Sequence, residues 1–290
     1  MNVEGDAPRN YIVVTPSKNE DGNLPDLIES VVAQTVRPVV WVIVDDGSTD
    51  GTPEIIEDAT NTHDWIKSAR LDNSARDLGL HLAGVMKEGF DRAISYCRKN
   101  GFEYSYLGNL DGDLTLPVTF YENLMREFEK DAELGIVSGG TKHLIGDRVQ
   151  YANISINEPS GGHMLIRRRC FKECGGIPQS YSMDSVLKAK ARLRGWKTRR
   201  FEDNVATEMR DVNAADGYWK GFVYKGKSSY YLNINPVHVI ARVVMYSFRK
   251  PYYIGIAYLG GYLGSFVRGK ERTTDPEIRS YFWNKWKQHL

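Results

Sequence analysis

Three strand-length apolar runs in this chain each stop abruptly at a polar cluster. Asn10–Thr15 (NYIVVT) gives way to the polar loop Pro16–Gly22, and Val39–Val44 (VVWVIV) breaks at Asp45-Asp46-Gly47-Ser48. Tyr104–Leu110 runs straight into Asp111-Gly112-Asp113. Runs that are apolar throughout, rather than alternating, suit strands buried on both faces. Helical spacing fills the intervals. Leu24, Leu27, Ile28, Val31 and Val32 follow i, i+3, i+4, i+7, i+8, and Thr52-Pro53-Glu54 opens a second helix with a hydroxyl, a first-turn proline and an acid. Met86, Phe90, Ala93, Ile94 and Cys97 mark a third, and Phe120, Leu124 and Phe128 a fourth. Strands alternating with helices predict an α/β fold, a mainly parallel sheet with right-handed crossovers and helices on both faces.

Further along, Ile136–Ser138 and Met164–Ile166 read as strands, and Arg169–Cys174 as a short helix closed by Gly175-Gly176. Asp184–Arg194 reads as a helix ending at Gly195. After about Val205 the periodicity weakens. The expected division is a catalytic domain over residues 1–210 and a helical C-terminal extension over residues 211–290. A length of 290 residues is ample for one large α/β core. The formal net charge of +1 gives no reason to expect nucleic acid as a partner. Three cysteines, Cys97, Cys170 and Cys174, show no zinc spacing and fit a reducing, cytoplasmic setting. The polar N-terminus does not read as a signal peptide, and no run of 18 apolar residues forms an ordinary membrane span.

In open α/β sheets ligands bind beyond the carboxyl ends of the strands. Three polar clusters at three such ends would converge on one crevice. Asp111 and Asp113 are two apart, so in an extended chain both carboxylates face one side. Gly112 between them lets a ligand approach the backbone. Two hard oxygen donors suit Mg²⁺ or Mn²⁺ bridged to phosphate oxygens, where the ion offsets charge on a departing diphosphate. The plain alternative is a turn, because Asp-Gly is common in hairpins.

With these motifs in place, the chain resembles the inverting family 2 glycosyltransferases of GT-A fold. The matching residues are TPSKNE (Thr15–Glu20), VDDGSTDGT (Val44–Thr52), LDGD (Leu110–Asp113), Gly175-Gly176 and the helix DSVLKAKARLRGW (Asp184–Trp196). The resemblance covers about Asn10 to Trp196. It implies that Thr15, Pro16 and Glu20 line a nucleotide pocket. It implies that Asp46 accepts a hydrogen bond from the base, which suits the imide N–H of uracil or thymine and so a UDP- or dTDP-sugar. Asp111, with Gly112, and Asp113 would address the ribose and the metal-diphosphate, and Asp184 would be the general base. Met183 stands where the family often has a Glu before that Asp; an N-cap is the alternative role for Asp184. Where an Asn-rich motif is common the chain reads HLAGVMKEGFDRA (His81–Ala93), leaving Gly84 and Lys87 as donor contacts. Where a His is common it has Glu208, a substitute metal ligand or a surface ion-pair partner. His163, after Gly161-Gly162, either faces the acceptor or sits in a polar loop. The Gln-X-X-Arg-Trp motif of processive synthases does not occur, so polymerisation is not favoured.

The tail has its own character. From Pro236 to Leu290 there are nine Lys/Arg against three Asp/Glu, and eleven of the 33 aromatics. Tyr252–Val267 is apolar and basic-flanked but shorter than the ~20 residues of a spanning helix. It fits a membrane interface, with Tyr252, Tyr253, Tyr258, Tyr262, Trp283 and Trp286 at headgroup level, or a helix that its glycines pack tightly against another. The expectation is sugar transfer from a nucleotide sugar to a glycan or lipid-linked acceptor in surface polysaccharide or glycolipid assembly, by a peripheral protein at the cytoplasmic membrane face. A sugar nucleotidyltransferase would need a glycine- and arginine-rich phosphate loop, which Pro16-Ser17-Lys18-Asn19 is not. A membrane-associated scaffold would not need the four acids together. A dinucleotide dehydrogenase would show G-x-G-x-x-G after a strand.

Overall fold

A computed structural model describes residues 9–72, 79–145, 148–152, 154–209 and 217–285. The apolar runs become central strands: β1 (Tyr11–Ser17), β2 (Val40–Asp45) and, after the edge strand β3 (Ile66–Arg70), β4 (Tyr106–Asn109). The remaining strands are β5 (Leu114–Thr115), β6 (Leu134–Ile145), β7 (Arg148–Tyr151), β8 (Met164–Arg167) and β9 (Lys197–Glu208). They form one sheet in the order β3-β2-β1-β4-β8-β6-β9-β5, with β7 beside β6. The block β3-β2-β1-β4 is parallel, as the sequence predicts. Beyond it the sheet is mixed. β8 runs antiparallel to both β4 and β6, whereas β6 and β9 are parallel.

Helices cover both faces. On one, α1 (Leu24–Val32), α2 (Thr52–Thr62) and α4 (Phe120–Lys130) bury Leu27, Ile56 and Leu124 against Tyr11, Val13 and Trp41. On the other, α3 (Leu80–Asn100), α5 (Arg168–Glu173) and α6 (Met183–Leu193) bury Met86, Cys170 and Leu187 against Ile12, Val14 and Val42. Alternation along β1 sends successive side chains to opposite cores. Thr15 therefore falls on the Tyr11/Val13 side. All three cysteines are free and buried.

The C-terminal elements are α7 (Gly217–Tyr231), α8 (Pro236–Ser247), α9 (Ile254–Val267) and α10 (Pro276–Asn284). They build a third core with Val186 and Ala189 of α6. Tight glycine packing joins α7 to α9: a Cβ on Gly226 would strike Tyr258 O, and one on Gly261 would strike Val223 O. This corrects part of the interfacial expectation. Tyr258 is 0% exposed and donates from its hydroxyl to Ser229 Oγ (2.8 Å), and Tyr262 is also buried. A helix docked on a neighbour must spend one face inward, and those two rings are on it. Tyr252, Tyr253 and Trp283 are exposed, and Trp286 lies outside the described residues. No described helix is long and apolar enough to cross a membrane.

Candidate active site

The crevice is built where the loops after β1, β2 and β4 meet. The first two loops are knitted together. Asn19 N donates to Ser48 Oγ (3.0 Å), Thr49 N to Asn19 Oδ1 (2.9 Å) and Glu20 N to Thr52 Oγ1 (2.8 Å). The two aspartates after β2 divide their work. Asp45 is structural: it accepts from Ser48 N (2.9 Å), closing the loop after β2, and pairs with Arg70 at the end of β3. Gly47 (φ +65°) makes the left-handed step that reverses the chain. Asp46 is buried with its carboxylate at His81 Nε2 (2.7 Å) and 4.0 Å from Lys18 Nζ. His81 stands in the first turn of α3.

At the end of β4 the chain turns beneath a glycine pair. Asp111 N donates to Gly162 O (2.8 Å), and Asn109 Nδ2 donates to Gly161 O. A methyl group on Gly161 would lie 2.8 Å from Asp184 Oδ2, and one on Gly162 2.7 Å from Asp111 Oδ2. The Gly161-Gly162 backbone is thus wedged between two carboxylates, and a side chain at either position would have to push one aside. A Cβ on Gly112 would come within 3.3 Å of Glu20 Cγ. Glu20, Asp111 and Asp184 are therefore gathered around one turn of backbone. Burial first, then the charges of Asp113, Asp184 and Glu20, push the Asp111 carboxyl up to about 7. Negative charge gathered around a buried carboxyl in this way favours a cation beside Asp111.

Asp184 enters from the first turn of α6. It is not the helix cap: Ser182 (φ +50°) holds that position, and no side chain caps the helix. Lys188, one turn on, is buried and places Nζ 3.1 Å from Asp184 Oδ2 and 2.9 Å from Pro159 O. The loop before α6 rests on α7. Ser182 Oγ is 2.7 Å from Ser228 Oγ, and Tyr181 packs on Tyr231 with ring centres 4.9 Å apart.

Two sequence-derived positions do not reach the crevice with their side chains, and a third is ion-paired at the strand end beside it. Thr15 is 0% exposed and accepts from Trp41 Nε1 (2.9 Å), because strand alternation turns it into the core; Pro16, next to it, is partly exposed and its carbonyl lies near Gly112. Lys87 is exposed and paired with Asp91 Oδ2 (2.5 Å) one turn along α3. Glu208 is in register with His143 across β6 and β9, and its carboxylate lies 3.3 Å from His143 Nδ1. Glu208 is also in register with Leu114, next to Asp113, and Met209 N donates to Asp113 O (2.9 Å). His163 is neither an acceptor contact nor a loop residue. It is buried with Nε2 2.9 Å from Thr141 Oγ1, and burial pushes it down to about 4.

The carboxylates Asp111 and Asp113 fit a hard divalent ion by donor type and by their surplus of negative charge. Among the described residues no group of three or more His, Cys, Asp or Glu is close enough to hold an ion alone. Mg²⁺ and Mn²⁺ sites of that kind take one or two carboxylates and complete the shell with phosphate oxygens and water.

A sequence profile of glycosyl transferase family 2 matches residues 12–186. Poly-beta-1,6-N-acetyl-D-glucosamine synthase of Staphylococcus epidermidis is 25% identical over 229 residues, covering 70% of this chain and 50% of that protein. Its namesake from Staphylococcus aureus strain MSSA476 is 22% identical over 222 residues, with the same coverage. The chain thus spans about half the length of the curated relatives it matches. Among solved structures, S. aureus TarS 1-349 in complex with UDP-GlcNAc superposes with a TM-score of 0.59 at 14% identity, over 97% of this chain and 92% of that one. A mannosyltransferase from Pyrobaculum calidifontis in complex with GDP-Man and Mn²⁺ gives 0.54 at 15% identity, over 98% and 81%. At such identities the likeness is one of fold, and the fold is GT-A-like.

Proposed function

This chain belongs to glycosyl transferase family 2, and from that premise we propose that it transfers a sugar from a UDP-sugar to an acceptor hydroxyl with inversion. The observation that carries the proposal is the meeting of Asp111 and Asp184 across Gly161-Gly162, with Glu20 against Gly112 and the Asp46–His81 pair at the neighbouring strand end. Asp46 accepts the imide N–H of the uracil, and His81 and Lys18 fix its carboxylate. Asp111 takes the ribose hydroxyls. Asp113, with Asp111, would hold a divalent ion, which would supply charge neutralisation for the leaving diphosphate.

Asp184 accepts the proton of the acceptor hydroxyl as its oxygen bonds to the anomeric carbon. The bond from that carbon to the diphosphate oxygen breaks on the opposite face, and its electron pair leaves with UDP. Lys188 orients Asp184 from behind. The curated relatives are named for N-acetylglucosamine polymers and a solved neighbour holds UDP-GlcNAc, so UDP-GlcNAc is the donor proposed first. The acceptor proposed is a glycan or lipid-linked glycan of surface polysaccharide assembly.

Isothermal titration with UDP, dTDP, GDP and UDP-GlcNAc, with and without Mn²⁺, tests this. The expected result is Mn²⁺-assisted binding of UDP and UDP-GlcNAc. Equal affinity for GDP would overturn the assignment of Asp46 to a pyrimidine.

A further inference from the structure

Helices α8 and α9 present apolar outer faces that no described part of the chain covers. Along α8 and its C-cap, Val237, Ile240, Val244 and Phe248 recur at helical spacing and are exposed, Val237 by 71% and Phe248 by 81%. On α9, Ile256 and Leu263 are exposed and Val267 is 80% exposed. The inner faces are spent on the core, through Val239 of α8 and Ala257 and Tyr258 of α9. The two helices are one packed unit, because a Cβ on Gly255 would come within 2.7 Å of Val243 O. Large apolar side chains at this density mark a contact surface rather than ordinary exposure.

Charge says what the surface contacts. Residues 217–270 contain eight Lys/Arg and no Asp or Glu. Arg249 and Lys250 follow α8, and Arg268 and Lys270 follow α9. A symmetric pairing with a second copy would set these cations against themselves. An anionic bilayer meets both halves of the pattern, headgroups for the cations and the acyl boundary for the apolar stripe. The 14 residues of α9 span only about 21 Å at 1.5 Å per residue, too short to cross. We infer that the outer face of α8 and α9 lies flat on an anionic lipid surface, with Phe248 and Val267 among the side chains that enter it. The Asp184 loop rests on α7, and α7 rests on α9, so such docking would hold the catalytic crevice in a fixed attitude to the membrane.

Vesicle flotation of the 290-residue chain tests this without any donor or acceptor. The chain should float with phosphatidylglycerol-containing vesicles and not with pure phosphatidylcholine, and rising salt should reduce but not abolish flotation. Replacing Arg249 and Lys250 with Gln should weaken binding about fivefold per charge. Ile240→Glu with Phe248→Glu should abolish flotation while leaving the melting temperature unchanged, since both side chains are already exposed. A chain that stays in the aqueous phase with anionic vesicles at low salt would overturn the inference. So would a double variant that still floats, or one whose only effect is to split a dimer.

Discussion

Lys188 Nζ sits 3.1 Å from Asp184 Oδ2, one helical turn behind it, and is pinned there by the carbonyl of Pro159. A buried cation with two fixed acceptors sets the direction in which the Asp184 carboxylate presents its free oxygen. Lys188→Met should therefore lower kcat by about 10- to 100-fold, the scale on which a small misplacement of a reacting group acts. KM for the donor and affinity for UDP should stay near wild type, because Lys188 touches neither. Steady-state kinetics beside UDP titration reads the split, and an unchanged kcat would remove Lys188 from the account.

The glycine pair offers a second split. Gly161→Ala puts a methyl against Asp184, and Gly162→Ala puts one against Asp111. The first should depress kcat about tenfold or more with donor affinity retained, and the second should weaken donor binding. Calorimetry and turnover on the two variants compare them directly. Identical behaviour would mean that the turn matters only for folding.

Asp46→Ala removes a charge-assisted hydrogen bond and should weaken UDP binding by about 10- to 100-fold. His81→Ala should give a smaller loss in the same titration, since it acts through Asp46. No effect from either would place the base elsewhere.

These tests fall partly on residues that local sequence makes visible and partly on residues that only packing reveals. LDGD and the Asp that opens α6 are short, contiguous signals, so Asp111, Asp113 and Asp184 were legible. So were the parallel strands, because burial on both faces removes alternation. Thr15 misleads because such a run does not say which face a given residue takes. Lys87 misleads because α3 begins at Leu80, which brings His81 rather than Lys87 to Asp46. Arg70 was hidden on β3, an edge strand whose polar residues disguise it. Lys188 looks like any solvated helix lysine until α6 is packed. Of the tail tyrosines, helical phase sends Tyr258 and Tyr262 inward, and that phase is set by contact with α7.

Glu158 gives a pH dependence. Burial alone would raise its carboxyl, but hydrogen bonding from Arg192 and the charges of Lys285, Arg192 and Lys188 carry it down to about 2 from an ordinary 4.5. A folded-state value below the unfolded one stabilises the protein above about 4.5 and is lost as pH falls toward 2. Melting temperature should therefore fall across that acid window, and Glu158→Gln should flatten the fall. Glu158 bridges α6 (Arg192 Nη1 to Glu158 Oε1, 3.0 Å) and the segment after α10 (Lys285 Nζ to Glu158 Oε1, 3.1 Å), so the loss should appear first as loosening of the C-terminal helices in hydrogen exchange. Equal pH slopes in the two proteins would contradict this.

The central claim, that Asp184 takes the acceptor proton beside a donor held by Asp111 and Asp113, is tested most directly by the turnover of Asp184→Asn. With UDP-GlcNAc and Mn²⁺, in the presence of an acceptor that supports wild-type turnover, the account predicts a fall in kcat of about a thousandfold with UDP affinity unchanged. Those are the magnitude and the pattern of a lost general base. Near-normal kcat in Asp184→Asn would contradict it.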